Sequence, residues 1–289
     1  MRDAAAYRDL INRSLEPRLR SLGAIPERLL EAMLYSLTAG GKRLRPVLLL
    51  AACEAAGGSC ETALPYACAL EMIHTYSLIH DDLPGMDNDD LRRGRPTNHK
   101  VFGEGVAILA GDGLLNAAME IVLRESVRSG NMNGVRAAEV LARHAGVTGM
   151  IGGQTVDVTM EGSAPTEELV TYIHSHKTSD LLQATMEMGM ILAGCGPDQV
   201  EKGRCYGYHL GIAFQIVDDI LDVTGNPELM GKNTGMDENK MTWVALRGVE
   251  QARRDAEDHI RQAVKTLQGL PWDTSFFESI ARENLSRAY

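Results

Sequence analysis

ALPYACALEMIHTYSLIHDD, residues 63–82, is apolar along almost its whole length and ends on two aspartates. No alternation of Val, Ile and Thr runs through it, so it reads as one long buried helix rather than a strand. Pro84 disfavours helix at Leu83 and Gly85 adds backbone freedom, which places the helix end close to Asp82. Beyond it, IHDDLPGMDNDDLRRGRP (79–96) sets Asp81, Asp82, Asp87, Asp89 and Asp90 beside Arg92, Arg93 and Arg95. Carboxylates at a helix C-terminus face the negative end of its dipole, so the arrangement is costly and calls for a reason.

Outward from that helix the spacing stays helical. Leu29, Leu30, Met33, Leu34 and Leu37 mark one apolar face before a turn at Ala39-Gly40-Gly41. PVLLLAACEAAGG (46–58) carries Pro46 in its first turn and glycines at its end. Further helices are expected at 104–126, 134–149, 166–174, 179–193, 199–223 and 240–268. Connections are short and nothing marks a boundary, so residues 1–289 read as one all-α domain.

Composition agrees. Aromatic residues are only 5% and Ala, Leu, Met and Gly are plentiful, a mix that suits packed helices. The net charge of −10 argues against general nucleic-acid binding. The five cysteines (53, 60, 68, 195, 205) include no CxxC pair and read as free thiols in a reducing cytosol. MRDAAAYRDLINRSLEPRLR is charged throughout, unlike a signal peptide, and no uninterrupted apolar run nears the roughly 18 residues of a membrane span. A soluble, cytoplasmic protein is expected.

A second acidic segment, YHLGIAFQIVDDILDV (208–223), brings Asp218, Asp219 and Asp222 into apolar company. Asp218 and Asp222 lie four residues apart on one helical face, with Gln215 three residues before Asp218. Buried carboxylates must be neutralised by protonation, by basic side chains or by metal. The loop after Asp82 lets Asp87 swing back toward Asp81. With few His or Cys nearby, such hard oxygen ligands point to Mg²⁺ rather than zinc. Mg²⁺ is commonly held by one or two carboxylates plus substrate phosphates, and basic residues for phosphate follow: Lys42, Arg43 and Arg45 in GGKRLRP, Arg92, Arg93, Lys177, Lys232 and Lys240.

Taken singly, these features are bland. DNDDLRRGRP fits a solvated loop with surface ion pairs, GGKRLRP a capping turn, Lys177 a surface residue and His74 a hydrogen-bonded core histidine. Their joint order and spacing overturn that. GGKRLRP, LIHDDLPGMDNDDLRRGRPTNHKVFGE, GGQTVDV, HKTSDLL, LGIAFQIVDDILDVTG and GKNTGMDENKMTW together closely resemble the trans-isoprenyl diphosphate synthases, the polyprenyl synthetase family.

The resemblance implies an all-α bundle around a deep central cavity, a homodimer, isoprenyl diphosphate substrates and Mg²⁺-dependent head-to-tail prenyl transfer, with three ions alongside bound diphosphate. By motif position, Asp81, Asp82, Asp87, Asp218, Asp219 and Asp222 correspond to the metal-binding set. Arg92, Lys177, Lys232 and Lys240 correspond to groups on the allylic diphosphate; Lys42, Arg45, His74 and Arg93 to the isopentenyl diphosphate site. Thr178 and Gln215 occupy positions that steady an allylic cation, and Gln154 and Asp157 positions that support them. Tyr76 and Ser77, just before Asp81, match positions that set product length. An aromatic there resembles bacterial-type farnesyl diphosphate synthases, with geranylgeranyl diphosphate synthase as the alternative. A terpene cyclase has no need of the isopentenyl diphosphate residues, and non-catalytic regulatory subunits commonly lack the acidic motifs.

Overall fold

The computed structural model describes residues 1–224 and 241–286. Among them the chain is all-α apart from one two-stranded hairpin. It divides into two compact units, one formed by Met1–Glu139 with Ile191–Gly194 and the other by Val140–Met190 with the described residues from Cys195 on.

The first unit contains α1 (Ala4–Arg20), α2 (Glu27–Leu37), α3 (Leu44–Ala55), α4 (Cys60–Asp81), β1 (Leu91–Arg92), β2 (Arg95–Pro96), α5 (Asn98–Phe102), α6 (Glu104–Ser129) and the start of α7 (Met132–Ala145). Helix α4 is buried nearly all round, as its continuous apolar sequence requires. It packs against α3 and α6. Ser59 caps it, the hydroxyl accepting from the Glu61 N–H at 3.2 Å.

The second unit contains α8 (Met150–Thr159), α9 (Glu167–Ile173), a π-helical turn (His174–Ser179), α10 (Asp180–Leu192), α11 (Pro197–Thr224), α12 (Trp243–Arg247), α13 (Val249–Thr266) and α14 (Ser275–Ser286). Its core joins Ile212, Ile216, Val217 and Ile220 of α11 to Val170, Ile173, Trp243, Ala252 and Ala256.

Several elements differ from expectation. Helix α1 is hidden by its charges, although Tyr7, Ile11, Leu15 and Leu19 form one fully buried stripe. Helix α8 is hidden by two glycines and by Thr and Val, poor helix formers that tertiary packing overrides. The expected helix over 240–268 is interrupted at Gly248 within the described residues, and α14 had no counterpart. Helix α6 is long and apolar enough to cross a membrane by length and composition, its apolar residues being interrupted by Asp112, Asn116 and Glu120. Its Ala107, Ala110, Leu114, Ala118 and Val122 are buried, as in a core helix. All five cysteines are free.

Candidate active site

In the first unit α4 stops where Pro84 requires, with Asp82 as its cap. The chain then folds back: the Asp87 N–H donates to the Asp81 carbonyl at 2.8 Å, and the Asn88 N–H to that of Leu83 at 3.1 Å. Asn88 adopts a left-handed backbone, φ 52°, which asparagine tolerates better than most residues. The backbone thus brings Asp87 alongside Asp81.

Asp82 is buried, and Arg92 meets it through both Nε and Nη2 at 2.6 Å. Burial pushes the Asp82 carboxyl up to about 6, with Asp89 and Asp81 adding to the rise and Arg92 opposing it. Arg92 and Arg95 pair across the hairpin, leaving Arg93 and Gly94 as a two-residue turn with φ 53° and 71°. Positive φ at both positions is the type I′ geometry that matches strand twist. Arginine at the first turn position hid this hairpin from sequence reading.

The hairpin and the glycine turn before α3 meet. Arg93 donates to the Gly40 carbonyl, and a Cβ on Gly41 would stand 2.8 Å from the Arg93 guanidinium carbon. Gly41 has φ +122°, a backbone that side-chain-bearing residues rarely adopt, and a Cβ there would also push the guanidinium aside. Arg43 turns inward in a left-handed conformation, paired with buried Glu71 at 2.6 Å and donating to the Leu37 carbonyl at 2.7 Å. It is a structural ion pair, whereas Lys42 stays exposed and Arg45 opens α3. His74 of α4 is held well below its ordinary pKa, by burial first and then by Arg45, Arg93, Arg92 and Arg43. A pocket in this unit is lined by Thr75, Ile79, Asp82, Arg92, Arg93 and Arg95 among others.

Tyr76 is 5% exposed, and its hydroxyl has no hydrogen-bond partner among the described residues. Its ring stands edge-on to His80, centroids 5.8 Å apart. Ser77 donates to the His74 carbonyl at 3.0 Å.

In the second unit the π-helical turn carries Lys177 and Thr178, where sequence reading expected Lys177 just ahead of a regular helix. Wider turns of this kind recur at functional sites. Two glycines admit it: a Cβ on Gly153 would lie 2.4 Å from the Lys177 nitrogen, and one on Gly211 2.5 Å from the Ser179 Cα. Lys177 Nζ donates to Asp157 Oδ2 at 2.6 Å. Thr178 donates to Gln215 Oε1 at 2.8 Å, and Gln215 Nε2 to Asp219 Oδ1 at 3.0 Å.

Asp219, expected among the metal ligands, is bound by protein groups on both oxygens. The Trp243 N–H donates to Oδ2 at 2.7 Å, and His174 Nε2 stands 3.4 Å from the same atom. His174 also stacks on the Trp243 ring at 5.7 Å. Sequence reading missed His174; its place four residues before Thr178 was the available signal. Asp218 is half-buried and Asp222 buried, one turn apart on α11. Lys232 and Lys240 lie outside the described residues.

The donor chemistry fits magnesium in a particular way. Among the described residues no three His, Cys, Asp or Glu side chains are placed to hold a metal ion by themselves. Carboxylates set in pairs suit an ion that also takes diphosphate oxygens and water, as Mg²⁺ does.

Residues 26–269 match the polyprenyl synthetase family model, and the chain belongs to that family. It is 48% identical over 251 residues to farnesyl diphosphate synthase of Geobacillus stearothermophilus, covering 86% of this chain and 84% of that protein. It is 47% identical over 274 residues to the chloroplastic heterodimeric geranylgeranyl pyrophosphate synthase large subunit 1 of Arabidopsis thaliana, covering 92% and 73%. Among solved structures, geranyltransferase from Helicobacter pylori, complexed with magnesium and isoprenyl diphosphate, superposes with TM-score 0.84 at 31% identity over 99% of this chain and 97% of that one.

Proposed function

We propose that this chain is a trans-prenyltransferase that joins isopentenyl diphosphate to dimethylallyl and then geranyl diphosphate, producing farnesyl diphosphate. The observation that carries the reading is the fold-back setting Asp87 beside Asp81, with the Arg92–Arg93 hairpin behind it. Mg²⁺, three ions when diphosphate is bound, supplies the charge that stabilises the departing diphosphate.

Asp81, Asp82 and Asp87 of the first unit, and Asp218 and Asp222 of the second, take the metal-ligand roles, with Asp219 as the anchor of its segment. Arg92 and Lys177 exchange their present carboxylate partners for allylic diphosphate oxygens, assisted by Lys232 and Lys240. Lys42, Arg45 and Arg93 bind isopentenyl diphosphate, and neutral His74 donates one N–H to it. Thr178 and Gln215 turn oxygen dipoles toward the allylic carbon as its C–O bond breaks. The isopentenyl double bond attacks that carbon with water excluded, and the proton lost goes to the departing diphosphate.

Tyr76, with Ser77, limits product length. Names of relatives include geranylgeranyl synthases, which favours a twenty-carbon product as the second reading; a buried aromatic at residue 76 favours fifteen. On α6 and α7, Ile108, Leu109, Leu123, Val127, Met132 and Val135 are exposed, an apolar row suited to a second copy of this chain. The five free thiols suit the reducing cytoplasm.

The test is one radiolabelled incubation with Mg²⁺, dimethylallyl and isopentenyl diphosphates, followed by chromatography of the dephosphorylated products. Farnesol supports the proposal, geranylgeraniol selects the second reading, and unincorporated isopentenyl label across a Mg²⁺ series ends both.

A further inference from the structure

The second unit buries a chain of ionisable groups that the reaction above does not use. His144, in the last turn of α7, is 4% exposed. Its Nδ1 lies 2.8 Å from Asp180 Oδ1 and its Nε2 2.9 Å from Glu187 Oε1. With a carboxylate on each nitrogen the ring satisfies both only by donating from both, which is the imidazolium form. Burial opposes that charge, yet the bonds to Asp180 and Glu187 hold the imidazole above its ordinary pKa.

The neighbours complete the network. Arg143 Nη2 reaches Glu187 Oε2 at 3.2 Å, and His176 Nδ1 reaches Asp180 Oδ2 at 2.8 Å. Gln183 donates to Asp180 Oδ1 at 3.3 Å and accepts from Arg204 of α11 at 2.9 Å, while Arg204 also pairs with Glu201 at 2.5 Å.

Asp180 does more than accept these bonds. Its backbone N–H donates to the Ser175 carbonyl and closes the π-helical turn. His144 leads within a few residues into α8, which carries Asp157. The network therefore ties together the two segments whose side chains meet at Lys177 and Asp157. A π-helical turn holds one residue more than an α-helical turn. Relaxing it would rotate Lys177 by about 100° about the helix axis.

We propose that His144, bridging Asp180 and Glu187, is a positioning residue that locks the π-helical turn and so aims Lys177 and Thr178; the inference rests on the diphosphate role assigned to Lys177.

The experiment compares His144→Leu and Glu187→Gln with the unaltered full-length protein. For His144→Leu, kcat/KM for the allylic diphosphate should fall by about tenfold to a hundredfold. KM for isopentenyl diphosphate, assigned to residues of the other unit, should stay within about twofold. Exchange of the amides at 174–180 should quicken by about tenfold or more. In the unaltered protein allylic KM should rise at alkaline pH, as the ring loses a proton and one carboxylate loses its donor; His144→Leu should lack that step. Glu187→Gln keeps the His144–Asp180 bond and should show the same split on a smaller scale, which carries the test if His144→Leu does not fold. Unchanged exchange together with unchanged allylic kinetics per folded molecule overturns the proposal. If the unaltered protein condenses no diphosphates, the functional reading fails by itself, and amide exchange still decides whether His144 locks the turn.

Discussion

The two acidic segments solve the same electrostatic difficulty by opposite means. At the end of α4, buried Asp82 is neutralised by a cation, Arg92, which also leans toward Asp89 at 3.5 Å. On α11, buried Asp219 is held by neutral donors, the Gln215 amide and the Trp243 N–H, with His174 close by. A guanidinium can leave its carboxylate for a phosphate, because either anion satisfies it. The Trp243 N–H, fixed in a buried backbone, has no such second partner. On the proposed function, the first region exchanges partners and the second stays as it is.

Asp81→Ala should break that comparison most visibly if it is wrong. Loss of this carboxylate should lower turnover by about 10²–10³-fold, the scale of removing one preorganised electrostatic contact. Thermal stability in metal-free buffer should hold or rise, since a negative charge leaves a helix C-terminus. Melting curves and turnover per folded molecule measure both; an unfolded variant would make Asp81 structural.

Asp219→Ala should do the reverse. It strands the Trp243 N–H and the Gln215 amide, at a cost of about 1–3 kcal/mol. Turnover should fall as well, because Gln215 loses the partner that orients it toward Thr178. Urea unfolding reads the first effect. An unchanged midpoint with lost turnover would return Asp219 to the metal-ligand role that sequence alone suggests.

The comparison also explains what was legible. The end of α4 follows from Pro84, and the fold-back of Asp87 from the glycine loop, because local chain chemistry dictates both. The helical pattern of α11 and its inward carboxylates follow from spacing. That the Trp243 N–H binds Asp219 could not be read, because the two lie 24 residues apart. Nor could the inward turn of Arg43: Lys42, Arg43 and Arg45 look alike in sequence, and only Glu71 of another helix separates their roles. The π-helical turn depends on Gly153 and Gly211, neither of which marks it locally.

Below the first region, Tyr76→Ala should change product length more than rate. Tyr76 stands five residues before Asp81, about 7 Å back along the helix. Its unpartnered hydroxyl means truncation removes no hydrogen bond within the described residues. Products should shift toward twenty carbons or more, with turnover within about threefold. An unaltered product profile would detach Tyr76 from length control.

The smallest expected effect tests the neutral-donor character of the second region through acid. His209 of α11 and His259 of α13 face each other, Nδ1 to Nδ1, at 3.0 Å. One ring must donate and the other accept, so the two facing Nδ1 atoms cannot both be protonated. Burial first, then His209 and His174, bring His259 down to about 4, with Asp255 opposing. Free histidine titrates near 6.5, so on acidification the unfolded chain binds this proton before the folded one does. The contribution is therefore complete above about pH 6.5 and is lost progressively as pH falls toward about 4. Trp243 reports on it, because its Nε1 donates to Asp255 Oδ2 at 2.8 Å, one turn before His259. In a Trp272→Phe background, the Trp243 fluorescence midpoint in urea should fall between pH 6.5 and 4.5, and His259→Gln should flatten that slope. Equal acid sensitivity with and without His259 would mean that carboxylate protonation, and not this pair, governs the second region.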